Sequence, residues 1–98
     1  MSSPIARILH VSFETAEDLN LWVMKYETET SELAKEAIQR TLIKTDEKSL
    51  VICNIYRKEE HADIVLERLS KWSGTVKASR TWESFNLTGE VVFSEPKY

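Results

Sequence analysis

The chain has 98 residues, a length suited to one domain spanning 1–98, and an ordinary composition of 42% apolar and 30% charged residues. A net charge of −3 carries no electrostatic footprint for nucleic acid, and no apolar run nears the ~20 residues that cross a bilayer, so neither nucleic acid nor membrane is an expected partner. The lone Cys53 reads as a buried structural thiol, and the start Met-Ser-Ser-Pro-Ile-Ala-Arg lacks the apolar stretch of a signal peptide, so a reducing, cytoplasmic setting is expected.

A first strand is expected over Ile5–Phe13. Leu9, Val11 and Phe13 alternate with Ile8, His10 and Ser12, so the first set needs a dry partner and the second is a mixed face. Thr15 then reads as an N-cap with Asp18 three residues on, and Glu17 and Asp18 suit the positive end of a helix. Leu19, Trp22, Val23 and Tyr26 form one helical stripe, which Leu33, Ala34, Ala37 and Ile38 continue in phase. Residues 27–31 are poor in strong helix formers. One bent helix or two short ones satisfy the pattern, and a break over 28–31 is favoured.

Strands are expected over 40–45 and 50–57, joined by the polar turn Thr45-Asp46-Glu47-Lys48-Ser49. Leu50, Val51, Ile52, Cys53 and Ile55 are apolar on both faces, as in a strand inside a sheet that is covered on both sides. The helices of so short a chain cover only one side, which argues for a homodimer. A second helix is expected over about 59–73, with Ala62, Val65, Leu66, Leu69 and Trp72 on one stripe and Gly74 as its C′ residue. His61, in its first turn, reads as solvated. A strand over 78–87, a turn or bulge at Thr88-Gly89 and a short strand at Val91, Val92 and Phe93 complete the chain. In an assembly this tail could extend a partner's sheet.

The order β-α-β-β-α-β is that of an α+β, ferredoxin-like domain, an antiparallel sheet with helices on one face. Several functions of that strand order are excluded by missing signatures. The third strand has one aromatic residue and no glycine, unlike a base-stacking RNA-recognition strand. There is no second cysteine, no Gly-rich phosphate loop, no HExxH and no His/Cys cluster, so neither a metal nor a cofactor is expected.

The segment Ile8-Leu9-His10-Val11-Ser12-Phe13, the run 50–57 and the aromatic-ended helix 64–72 together resemble the dimeric α+β barrel superfamily. That resemblance implies sheet-against-sheet pairing into a barrel and a pocket between the helices and the sheet of each subunit. It also implies the classes found there: cofactor-free monooxygenases of aromatic polyketides, haem-degrading enzymes and lactone isomerases. No catalytic residue is carried over.

Seven residues are candidate ligand contacts. His10 reads as an interface histidine or a general base. Asn54, the amide in an apolar strand, must find partners, at an interface or in a site. Trp22, Tyr26 and Trp72 have core spacing, yet two helices that each bring a Trp to one sheet can frame a flat apolar pocket. Arg80 and Trp82 share a strand face, and an arginine beside an aromatic wall suits a carboxylate-bearing apolar ligand. The expected function is therefore binding or turnover of a small, apolar or amphipathic organic molecule. The alternative is a non-catalytic dimeric interaction module with a filled core, which tight packing of Trp22, Tyr26 and Trp72 on one another would favour.

Overall fold

Alternation in the first strand and the double-sided apolar run in the third put those two strands at the centre of a four-stranded sheet. In the computed structural model the elements are β1 (Ile5–Phe13), α1 (Ala16–Glu29), β2 (Ala37–Asp46), β3 (Ser49–Tyr56), α2 (Glu59–Ser73) and β4 (Arg80–Glu90). The strand order is β2-β3-β1-β4, with every neighbouring pair antiparallel. This is the ferredoxin-like arrangement. The structure describes residues 3–76 and 80–96, and the backbone alone for 80–86. Ala78, where the last strand is expected to begin, lies outside the described residues.

The register makes the two faces explicit. Leu9 pairs with Ile52 and Val11 with Leu50, and these residues face the helices in the main core with Phe13, Leu19, Trp22, Tyr26 and Trp72. The opposite parity pairs Ile8 with Cys53 and His10 with Val51, and β2 adds Thr41 and Ile43 beside them. The two core clusters draw on the helix-facing side of the sheet. On the other side Ile43 stays 49% exposed and Leu87 53%, which leaves an uncovered apolar surface. The chain accordingly exposes 6484 Å², against roughly 5,800 Å² for a compact monomer of its mass. Cys53 lies on this uncovered face and is half-buried in the single chain.

Helix α1 starts as its cap dictates: the Asp18 backbone N–H donates to Thr15 Oγ1 at 3.0 Å. It stops at Glu29, inside the segment where a break is expected. Thr28 Oγ1 donates back to the carbonyls of Met24 and Lys25, and Thr30 Oγ1 to that of Tyr26, the competition for backbone acceptors that makes such residues poor helix continuers. The expected second piece of helix does not form. Residues 31–36 are turns, and Ala37 and Ile38 open β2 three residues before the expected start. A tertiary latch holds the turn: Arg68 of α2 donates to both carboxylate oxygens of Glu36, at 2.7 and 3.0 Å, and to the Leu33 carbonyl.

Helix α2 matches its expected bounds, with Ala62, Val65 and Trp72 buried. Two details differ. Leu66 is 45% exposed rather than buried, because it stands over a cavity instead of packing on the sheet. Gly74 is the C-cap in the right-handed region, φ −66°, so no left-handed C′ residue is used. His61 is half-buried rather than solvated, and its Nδ1 has no partner within the protein.

Strand β4 continues through Thr88 and Gly89, which pair with Arg7 and Ala6, so no turn forms there. The irregularity lies upstream: Leu9 pairs with Asn86 but Val11 with Trp82, so β4 carries extra residues opposite His10. Val91, Val92 and Phe93 do not form the expected strand; Val92 and Phe93 are exposed, and one backbone bond ties Val91 to Pro4. Among the described residues no helix is long and apolar enough to cross a membrane.

Candidate functional site

A cavity of about 300 Å³ lies between α2 and the helix-facing side of the sheet. Arg7 and Leu9 of β1, Ile52, Asn54 and Tyr56 of β3, and Thr88 of β4 form its floor. Trp22 and Tyr26 of α1 form one wall, and α2 roofs it with residues that include Leu66, Leu69 and Trp72. The floor follows from parity: Arg7 and Leu9 are in phase with Val11 and Phe13, and Asn54 and Tyr56 with Ile52.

The three helix aromatics do not stand apart. Trp22 stacks on Tyr26 with centroids 4.9 Å apart, and Trp72 meets both edge-on at 5.5 and 5.9 Å. Phe13 joins at 5.8 Å from Trp22. The cavity therefore runs beside an aromatic cluster, with the rings presenting one side to it. Arg40 of β2 caps the cluster, its guanidinium 4.8 Å from the Tyr26 ring centre and its Nη1 donating to Thr30 Oγ1.

Polar atoms are distributed unevenly around this wall. Trp72 Nε1 donates to Glu29 Oε1 at 3.0 Å. Trp22 Nε1, Tyr26 OH, Asn54 Oδ1 and Ser73 Oγ are buried with no partner among the described residues, and all four belong to residues that line the cavity. Asn54 Nδ2 donates to the Tyr56 hydroxyl oxygen at 3.2 Å, which leaves the Tyr56 proton free to donate elsewhere. Burial pushes the Tyr56 phenol above its usual range, so it stays protonated at neutral pH. At one side Arg7 Nη2 contacts Asp63 Oδ1 at 2.6 Å. The lining is thus apolar, with indole, phenol and amide groups held just behind its surface.

Of the expected contacts, Trp22, Tyr26, Asn54 and Trp72 come together here. His10 does not: its parity puts it on the uncovered face, across from Val51. The side chains of Arg80 and Trp82 lie outside the described residues. Arg7, Tyr56, Asp63 and Ser73 join the site without having been singled out from the sequence. Among the described residues no group of three or more His, Cys, Asp or Glu is placed to hold a metal ion.

The Glu29–Trp72 bond ties α1 to α2, and the hydrogen bond from Trp72 is the main reason the Glu29 carboxyl titrates below its usual range. A depressed folded-state pKa contributes stability above the unfolded value, and that stability is lost as pH falls through the folded one. Glu29→Gln keeps an oxygen that can accept from Trp72 but does not titrate. It should flatten the fall of Tm between about pH 6 and pH 3 relative to the parent. Identical acid slopes for the two proteins would show that this bond does not feel pH.

No protein-family model matches the chain, and no curated protein sequence matches it. Solved structures do share its fold. A candidate antibiotic biosynthesis monooxygenase from Nitrosomonas europaea superposes with a TM-score of 0.70 at 13% identity, over 95% of this chain and 94% of that one. A dimeric ferredoxin-like protein from an uncultured marine organism gives 0.65 at 16% identity, over 95% and 91%. The cofactor-independent oxygenase SnoaB from Streptomyces nogalater gives 0.65 at 11% identity, over 98% and 100%. At these identities the likeness is one of fold, and the chain has the ferredoxin-like α+β fold of dimeric and monooxygenase-like proteins.

Proposed function

We infer that this chain binds a small, largely apolar organic molecule in the cavity between α2 and the sheet, as one half of a homodimer closed through the uncovered sheet face. One observation carries the reading: a cavity of about 300 Å³ lies between α2 and the sheet, framed by Leu9, Ile52, Leu66 and Leu69 and by the rings of Trp22, Tyr26 and Trp72. Trp22, Tyr26, Asn54 and Ser73, which line it, each carry a buried polar atom without a partner among the described residues; each such atom costs about 1–3 kcal/mol, so a shift of the lining that lets a bound oxygen reach one of them is favoured. The aromatic and aliphatic lining selects a flat or chain-like body, and the donors select an oxygen at its edge. Neighbours named as a monooxygenase candidate and a cofactor-independent oxygenase make oxygenation of a bound phenol the favoured turnover, a reading drawn from fold-level analogy. In that reading the Tyr56 hydroxyl, whose proton is not used toward Asn54, is the group that would hold or pass a proton.

The contact of the three helix rings is what a filled core also predicts, so the test must separate the two. Native mass spectrometry of freshly purified protein should find a co-purifying small molecule. Titration with flat phenols and medium-chain fatty acids should quench tryptophan fluorescence saturably. Trp72→Ala should weaken a phenol about tenfold, the worth of a lost ring contact at the upper end of its range. A panel with no saturable response would favour the interaction module. Oxygen uptake with the tightest phenol then distinguishes binding from turnover.

A further inference from the structure

We propose that Arg7 and Asp63 form an exchangeable ion pair that selects a single carboxylate on the molecule held in the cavity, an inference that rests on the cavity reading above. The register sets Arg40, Asn54, Arg7 and Thr88 side by side across β2, β3, β1 and β4. The next row toward the aromatic cluster is Leu42, Ile52 and Leu9. A ligand lying along this floor therefore meets an apolar stretch at one end and a polar row at the other. Of the two arginines in that row, Arg40 is committed to the Tyr26 ring and Thr30. Arg7 is not: its side chain is 19% exposed, and among the described residues its partner is Asp63, through Nη2.

Asp63 stands on α2 with its side chain 63% exposed. Water already solvates much of that carboxylate, so releasing it from Arg7 costs little. The guanidinium gains more from the exchange, because a ligand carboxylate can take two parallel N–H donors where Asp63 takes one. The same arrangement excludes larger anionic groups. A phosphate dianion would meet one guanidinium, with the Asp63 charge beside it and apolar walls behind. A planar monoanion on an aromatic or aliphatic body matches the charge available.

Calorimetric titration of the full chain with naphthalene carboxylate and the isosteric naphthalene carboxamide tests this at low salt. The carboxylate should bind roughly tenfold more tightly than the amide, the worth of one hydrogen bond to a charged group. Arg7→Gln should abolish the preference, bringing the carboxylate to within about twofold of the amide. Asp63→Asn, at a side chain 63% exposed, should tighten the carboxylate by about two- to fivefold and change the amide by less. Equal binding of both probes to the parent, or a preference that survives Arg7→Gln, would overturn the ion-pair role while the cavity reading stands. So would an Asp63→Asn protein with no gain. Binding of neither probe would overturn the cavity reading and the ion-pair role with it.

Discussion

Trp22→Ala is expected to destabilise the fold by about 3–5 kcal/mol, the usual cost of deleting a buried indole. Trp22 is 2% exposed and touches the rings of Phe13, Tyr26 and Trp72, so its loss opens a hole at the point where α1, α2 and the sheet meet. For a domain of this length that lowers Tm by at least about 12 °C. Two further variants calibrate the result. Trp22→Phe keeps a ring and removes an indole N–H that has no protein partner, so it should cost clearly less than Trp22→Ala. Glu67→Ala, whose side chain is 71% exposed in a surface pair with Lys71, should change stability by less than about 0.5 kcal/mol. Thermal or urea melts read all three. A Trp22→Ala penalty no larger than that of Glu67→Ala would mean that the aromatic cluster is not the centre of the core.

The strands that carry strict alternation were the legible part of the chain. Leu9, Val11 and Phe13 have one parity, and extending that parity two residues back to Arg7 would have placed a cation on the cavity floor. The same step from Ile52 through Asn54 reaches Tyr56. These residues were missed because a polar or terminal side chain on a core-facing parity looks like the end of the pattern, although here it is the polar end of a site. His10 shows the converse. Its chemistry suits a base, but its parity opposes Leu9, which sets it on the face expected to meet a second chain, in line with an interface histidine and away from the cavity. The junction at 31–38 was illegible for a different reason. Leu33, Ala34, Ala37 and Ile38 fit a helical stripe, while Ala37 and Ile38 can equally open a strand. What decides between them is long-range: Arg68 on α2 grips Glu36 and the Leu33 carbonyl and holds the segment as a turn. The tail fails as a strand because it runs past the start of β1: Ile5 already pairs with Glu90, and beyond it only the Pro4 carbonyl meets Val91.

The uncovered face of the sheet is expected to pair two chains. Ile8, Val51 and Cys53 sit in its centre on β1 and β3, with Ile43 of β2 and Leu87 of β4 toward the edges, and the last two remain about half exposed in the single chain. A central strand whose two faces are both apolar needs cover on both, and the helices occupy one. An interface of this kind should bury more than ~1,000 Å² and be obligate. Sedimentation equilibrium at micromolar concentration should therefore give a dimer. Val51→Lys would place a charge at the middle of the face, with no acid beside it in the register: its neighbours are His10 and Ile43. Burying an unpaired ammonium opposes association strongly, so the variant should sediment as a monomer with a lowered Tm, whereas Glu67→Lys on the far side of α2 should leave the dimer intact. The cavity lies on the other side of the sheet, so a folded Val51→Lys monomer that still bound a flat phenol would separate assembly from ligand binding. A parent protein that is monomeric and stable at micromolar concentration would refute the pairing, and the apolar residues of this face would then need another explanation.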